Sequence, residues 1–359
     1  MRRAAIPLAV LVLAVATFGQ TKKPVAPAPP KTPQYGHWGP SGYHLVRKIP
    51  IPGNNSWDGL AFDPARRRLF VAHGVHVVVL NPDTGKIVGD IPNTLGAHSI
   101  ALVPALGRGF VTDGQTNDVT IFDLNTLKVI GVAPTANEPD AIAYDPVTKR
   151  IFTMNHSSST LTTIDAVAGT PIRDMPLDGQ PAGVVADGKG HIYVNLESTS
   201  EELEIDSKKL TILNRWPMSP CEAPTGLSID PKRRLLFAGC HNDRMGILSA
   251  DTGRVLAAPA AGSRPGTGRF DPVTLYAFSA NDDGTLTIVI EAPEERFNVV
   301  ENVDTERGAH TMALDPTLHE VFLATALYQP PPANMPHAQP QIVPGTVHVL
   351  VFGRDYNYK

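Results

Sequence analysis

"YDPVTKRIFTMNHSSSTLTTID", residues 144–165, opens on Asp-Pro and a basic turn, runs through an aromatic-led apolar segment and closes on alternating polar residues. The chain repeats this phrase. Upstream stands "FDPARRRLFVAHGVHVVVLN" (62–81), and downstream stand "IDPKRRLLFAGCHNDRMGILS" (229–249) and "LDPTLHEVFLATA" (314–326). Aligned on the Asp of Asp-Pro, the column reads Asp63, Val103, Asp145, Asp187, Asp230, Asp271, Asp315, with steps of 40, 42, 42, 43, 41 and 44 residues. Seven copies at this period predict an all-β chain, a seven-bladed β-propeller of four-stranded, WD40-like blades.

The third copy shows the strands within a blade. "DAIAY" is a short apolar run, and "DPVTKR" is a turn in which Pro fixes φ. "IFTMN" is a second strand, and "STLTTID" alternates with period 2 as a half-buried strand does. "DAVAGT" is a Gly turn, matched by "NPDTGK" and "SADTGR", and "PIRDMPL" is the outer strand. A β-sandwich would show the same alternation, but a sandwich does not usually repeat one phrase seven times. The last copy, "TVHVLVFGRDYNYK", stops at its third strand, while "YHLVRKIPIPG" (43–53) precedes the first copy and resembles the outer strands "GKIVGDIPN" and "LKVIGVAPT". The N-terminal strand is therefore expected to complete blade seven, which removes an exposed sheet edge.

Composition and charge narrow the partners. The net charge is −4, or −6 without Arg2 and Arg3, and no basic stripe occurs, so nucleic acid is not expected as a partner. The start, "MRRAAIPLAVLVLAVATFGQTKK", reads as a secretory signal peptide, residues 1–19, cleaved after Gly19. Its apolar run is short for a membrane span. Residues 20–42, including "PVAPAPPKTPQYGHWGP", read as a Pro-rich linker before the propeller at 43–359. A periplasmic or secreted monomer is expected.

The Asp-Pro turns, the period and second strands such as "GFVTD" and "IYVNL" resemble the YVTN (YncE-like) β-propeller repeat family over nearly all of the chain after the leader. The resemblance implies the fold. It supplies no catalytic motif, because function in a shared fold lies in its site.

In a propeller two sets of loops share the top face. The residues opening each innermost strand, Asp58, His98, Asp140, Ala182, Thr225, Gly266 and His310, are expected to ring the channel mouth. A second column closes the second strands: His73, Asp113, Asn155, Leu196, Cys240, Ser279 and Thr325, with His156, Glu197 and His241 one residue later. Together the columns suggest a ligand site, with Asp58, His98, Asp140, His310, His73, Asp113, His156 and His241 as candidate binding residues. His98, His310, Asp58 and Asp140 are candidate ligands for a divalent transition metal or the frame of an anion site. A purely structural alternative pairs Asp58 with His73 inside blade one and His98 with Asp113 inside blade two. His319 falls in the opposite-face turns and is expected to be inert.

Cys221 and Cys240 flank neighbouring strands of blade five, and an even pair in an exported protein reads as a disulfide. A thiolate metal site with His241 is the alternative. Residues 327–345, "LYQPPPANMPHAQPQIVPG", make an unusually long top-face loop beside His310. Two function classes stay open: a propeller that binds a small ligand, metal or protein at its mouth, or a metal-dependent hydrolase of the propeller lactonase type at the same place.

Overall fold

The computed structural model describes residues 41–292, 296–329 and 341–354. The expected signal peptide and all but the end of the linker lie outside the described residues. Seven four-stranded antiparallel sheets form, one per repeat, as expected. The innermost strands are Leu60–Asp63, Ala97–Val103, Pro139–Asp145, Pro181–Ala186, Pro224–Asp230, Pro265–Asp271 and Thr311–Asp315. No helix of the described residues is long and apolar enough to cross a membrane.

The Asp-Pro turn explains its own repetition. The Asp145 carboxylate accepts the Val147 and Thr148 N–H groups, each at 3.2 Å, and so closes the turn on itself. Asp63, Asp230, Asp271 and Asp315 do the same two residues ahead, at 2.8 to 3.0 Å. The same carboxylates also reach a neighbouring blade. Asp187 binds Arg234 at 2.7 Å, Asp271 binds His319 at 2.6 Å, Asp145 accepts from Ser207 Oγ at 2.6 Å, and Asp315 binds Arg67. His319 is thus a clamp between blades six and seven and not an inert residue. Blade two has Val103 in place of Asp. It turns instead through Pro104–Leu106 in a 3₁₀ turn, ended by Gly107 at φ 64°. Glycine meets the left-handed requirement there without a carboxylate cap.

Each second strand contributes one aromatic ring at its third position: Phe70, Phe110, Phe152, Tyr193, Phe237, Phe278 and Phe322, all at most 4% exposed. These rings fill the space between facing blades. Near the axis the innermost strands touch backbone to backbone. Gly59 N–H donates to the His98 carbonyl at 2.8 Å, and a Cβ on Gly226 would collide with the Gly266 carbonyl.

The ring is closed by Tyr43–Pro50, which pairs antiparallel with His348–Arg354 from Tyr43↔Arg354 to Pro50↔His348. Tyr43 Oη donates to the His319 carbonyl at 2.9 Å, and Arg47 meets Glu320 at 3.1 Å. Cys221 and Cys240 form the expected disulfide, with Cα atoms 5.5 Å apart across 19 residues.

Two outcomes test this architecture. Removing residues through Gly53 bares the edge of the His348–Arg354 strand, so the truncated protein should aggregate. A truncated chain that stays monomeric and melts like the parent refutes strand-mediated closure. The denatured, unreduced protein should show no thiol by titration. Reduction should cost about 3 kcal/mol of stability if the chain-entropy description holds.

Candidate functional site

The innermost strands place the whole first column on one cavity of about 330 Å³. Asp58, His98, Asp140, Ala182, Thr225, Gly266 and His310 all line it, one from each blade. The closing residues of the second column do not reach it, whereas His156 and Glu197, one residue later, line it. Closing residues of the second strands turn into the blades, because their alternation places them between sheets. His73 is fully buried and contacts His76 at 3.0 Å, and His76 in turn binds Asp90. Burial, reinforced by His76, holds the His73 imidazole below its ordinary pKa. Asp113 is fully buried and accepts from Thr120 Oγ1 at 2.5 Å; loss of solvent pushes its carboxyl up to about 8.

The expected within-blade pairs are therefore replaced by pairs between blades. His98 Nδ1 lies 2.7 Å from Asp58 Oδ2, joining blades two and one. His310 lies 3.5 Å from Asp282, joining blades seven and six. Glu197 of blade four stands between His156 of blade three at 3.6 Å and His241 of blade five at 3.5 Å. The reason is geometric: the innermost strands converge toward the axis, so their first residues meet neighbours around the ring sooner than the outer end of their own blade.

Asp282 was missed in the sequence. The second strand of blade six is Tyr276–Asn281, so Asn281 closes it and Ser279 lies two residues earlier. Aligning Phe278 with Phe152 and Phe322 would have given the register.

Electrostatics follow from these contacts. The hydrogen bond that His98 donates to Asp58, aided by the charge of Asp140, raises His98 to about 9 against the opposing effect of burial. Asp140 lines the cavity, and the protein around it removes enough solvent to lift its carboxyl to about 6, with Asp58 adding to the rise. Among the described residues no side chain hydrogen-bonds the Asp140 carboxyl. Asp282 is held below the ordinary carboxylate range by the neighbouring His310 imidazole.

Asp58 and His98 spend their facing atoms on each other, and the described residues contain no group of three or more His, Cys, Asp or Glu side chains arranged to hold a metal. His98 Nε2 is packed over Gly114, where a Cβ would stand 2.5 Å away. A second hollow of about 780 Å³ adjoins the first and shares Asp58, His98 and Glu138 with it. Its wall includes Trp57, which meets Tyr328 edge-on at 6.3 Å between ring centres. Tyr328 belongs to the long loop, whose base is a two-stranded ribbon of Tyr328–Gln329 and Gln341–Ile342. The middle of that loop, 330–340, lies outside the described residues.

The comparisons agree with the architecture. A chain of Kuenenia stuttgartiensis hydrazine synthase superposes with TM-score 0.64 at 15% identity, over 76% of this chain and 92% of that one. A chain of a mitotic checkpoint complex superposes with TM-score 0.71 at 14% identity, over 88% of this chain and 95% of that one. The RRP9 WD40 repeats superpose with TM-score 0.71 at 7% identity, over 89% of this chain and all of that one. At such identities the likeness is one of fold. No protein-family model and no curated protein sequence matches the chain, so the YVTN resemblance rests on the motif residues.

The His98–Asp58 pair gives a pH signature. His98 should titrate by NMR well above an ordinary imidazole, near 9. Its folded pKa is raised, so its contribution to stability is complete below the unfolded value and is lost as pH climbs through about 9. Asp58→Asn should move the His98 midpoint down. A midpoint indifferent to that change would remove Asp58 as its cause.

Proposed function

We propose that this protein is an exported binding propeller that takes a small polar ligand at the top-face channel mouth. The observation that supports this best is the convergence of seven residues of five kinds, one from each blade, on one cavity. The opposite face repeats its Asp-based turns in six of the seven blades. The mouth, by contrast, offers Asp, His, Asp, Ala, Thr, Gly and His in turn around the same ring. A rigid scaffold with one varied end is how loops come to carry binding. The disulfide supports an oxidising compartment, and with the leader it favours export.

A protein partner on the same face is the second form of this reading, since one of the structural neighbours named above belongs to a mitotic checkpoint complex. A metal-dependent hydrolase at the same mouth would draw on Asp140, whose raised carboxyl suits proton transfer near neutrality. The ligand grouping that such a hydrolase needs is not found among the described residues, so binding is favoured.

A thermal-shift screen of small polar compounds tests the proposal. Compounds that stabilise the parent should lose at least tenfold in affinity with His98→Ala and with His310→Ala. The variants' own melting points should move little, because partly exposed ion pairs contribute about 0–1 kcal/mol. Compounds that bind both variants as tightly as the parent would place the site elsewhere. Stoichiometric metal retained through purification would move the reading to the hydrolase.

A further inference from the structure

One side chain in the channel breaks the repeat and belongs to none of the pairs at the rim. Arg269 sits on the innermost strand of blade six, two residues before the turn Asp271. The other blades carry Ala61, Ala101, Ala143, Val185, Ser228 and Ala313 at this position. The residue before it is also changed: Gly268 replaces Leu60, Ile100, Ile142, Val184, Leu227 and Met312. Blade six thus exchanges a large-apolar, small order for glycine and arginine, at a place where the fold requires neither.

Arg269 lines the same cavity as Asp58, His98 and His310. It lies three residues along the strand from the mouth residue Gly266, roughly 10 Å deeper at ~3.3 Å per residue. Among the described residues its side chain donates one hydrogen bond, from Nη1 to the Gly268 carbonyl at 2.8 Å, and makes no ion pair. Burial pushes its pKa down to about 10, which still leaves it charged at neutral pH. A cation set in a low-dielectric channel without a counter-charge is costly, and a bound anion offsets that cost. The adjacent blades add unused polar groups. Thr311 of blade seven lines the cavity, is 4% exposed, and its Oγ1 has no partner among the described residues. Ser228 of blade five is 5% exposed, and its Oγ likewise has none among them.

We propose that Arg269, with the Thr311 hydroxyl, forms an anion subsite inside the channel, and that the ligand is a small organic carboxylate with a donor end at the mouth. The planar guanidinium fork matches a carboxylate in two parallel hydrogen bonds. The mouth is rich in carboxylates, and Asp140 accepts no side-chain hydrogen bond there. An ammonium or hydroxyl on the same molecule would answer Asp140 while the carboxylate answers Arg269. A cavity of about 330 Å³ admits a molecule of amino-acid or hydroxy-acid size. This inference rests on the mouth being the ligand site, and the test separates the two.

The probes are 6-aminohexanoate, acetate and hexylamine at constant ionic strength. They are followed by the Arg269 Nε–H NMR resonance and by calorimetry on the full propeller. Aminohexanoate and acetate should shift the resonance and hexylamine should not, with aminohexanoate binding at least tenfold tighter than acetate. Arg269→Ala should abolish both carboxylate responses. It should fold, because four other blades carry alanine at that position. Asp140→Asn should bring aminohexanoate down to the acetate level and leave acetate unchanged. If acetate binds through Arg269 but Asp140→Asn changes nothing, the subsite stands and the mouth as ligand site fails. If neither carboxylate moves the resonance, or both bind Arg269→Ala unchanged, the subsite is overturned, whatever the His98 and His310 variants do.

Discussion

The structure depends on a carboxylate with two tasks. In six blades an Asp closes its own turn through backbone N–H groups, five times before Pro and once before Gly, and in four of them it also holds a side chain of a neighbouring blade. A propeller has no central core; its blades are held by what passes between neighbours. Buried rings supply the bulk of that contact, but rings alone do not fix angle or register. The turn carboxylates do, because a charge-assisted hydrogen bond has a direction. Valine in blade two shows the limit of the rule. One blade can turn on Pro104 and Gly107 instead, provided that the blades on either side are clamped.

Anchoring on one face leaves the other free to vary. The innermost strands pass at backbone contact near the axis, so positions there must be small or open into the channel. Where a side chain does open into it, the low-dielectric wall amplifies charge. His98 and Asp140 show both consequences. One imidazole is raised by a neighbouring carboxylate, and one carboxyl is raised by lost solvent, within the same cavity.

The fold was legible because its signals are local and repeated. The Asp-Pro column, the strand phrase and the orphan strand at 43–53 each rest on a few adjacent residues, and seven copies corrected errors in any one. The first mouth column was legible for the same reason. The second was not, since reading His73 and Asp113 as mouth residues requires knowing which way the last residue of a strand turns. Asp58–His98 was misassigned because sequence shows which residues share a blade better than which share an axis. Arg269 could have been found: it is the one arginine in a column of alanine, valine and serine.

Glu202 marks the same lesson from the opposite direction. In "EELEID" it looks like one charge among several on an exposed strand. The repeat places it where other blades carry Val77, Val119, Leu161, Met245, Leu286 and Val349. It is fully buried, neither carboxyl oxygen has a partner among the described residues, and burial drives its pKa well above the ordinary range. A neutral acid in that slot costs less than a buried charge. Asn195, its cross-strand neighbour, has a likewise unpartnered Oδ1 while its amide donates to the Thr225 and Gly226 carbonyls of blade five. In Arg269 and Glu202 alike, the residue that departs from its column is a polar group in a low-dielectric place. In a repeat protein the column itself is the reference state: a residue that six other blades replace by something apolar or small is one that the fold does not require.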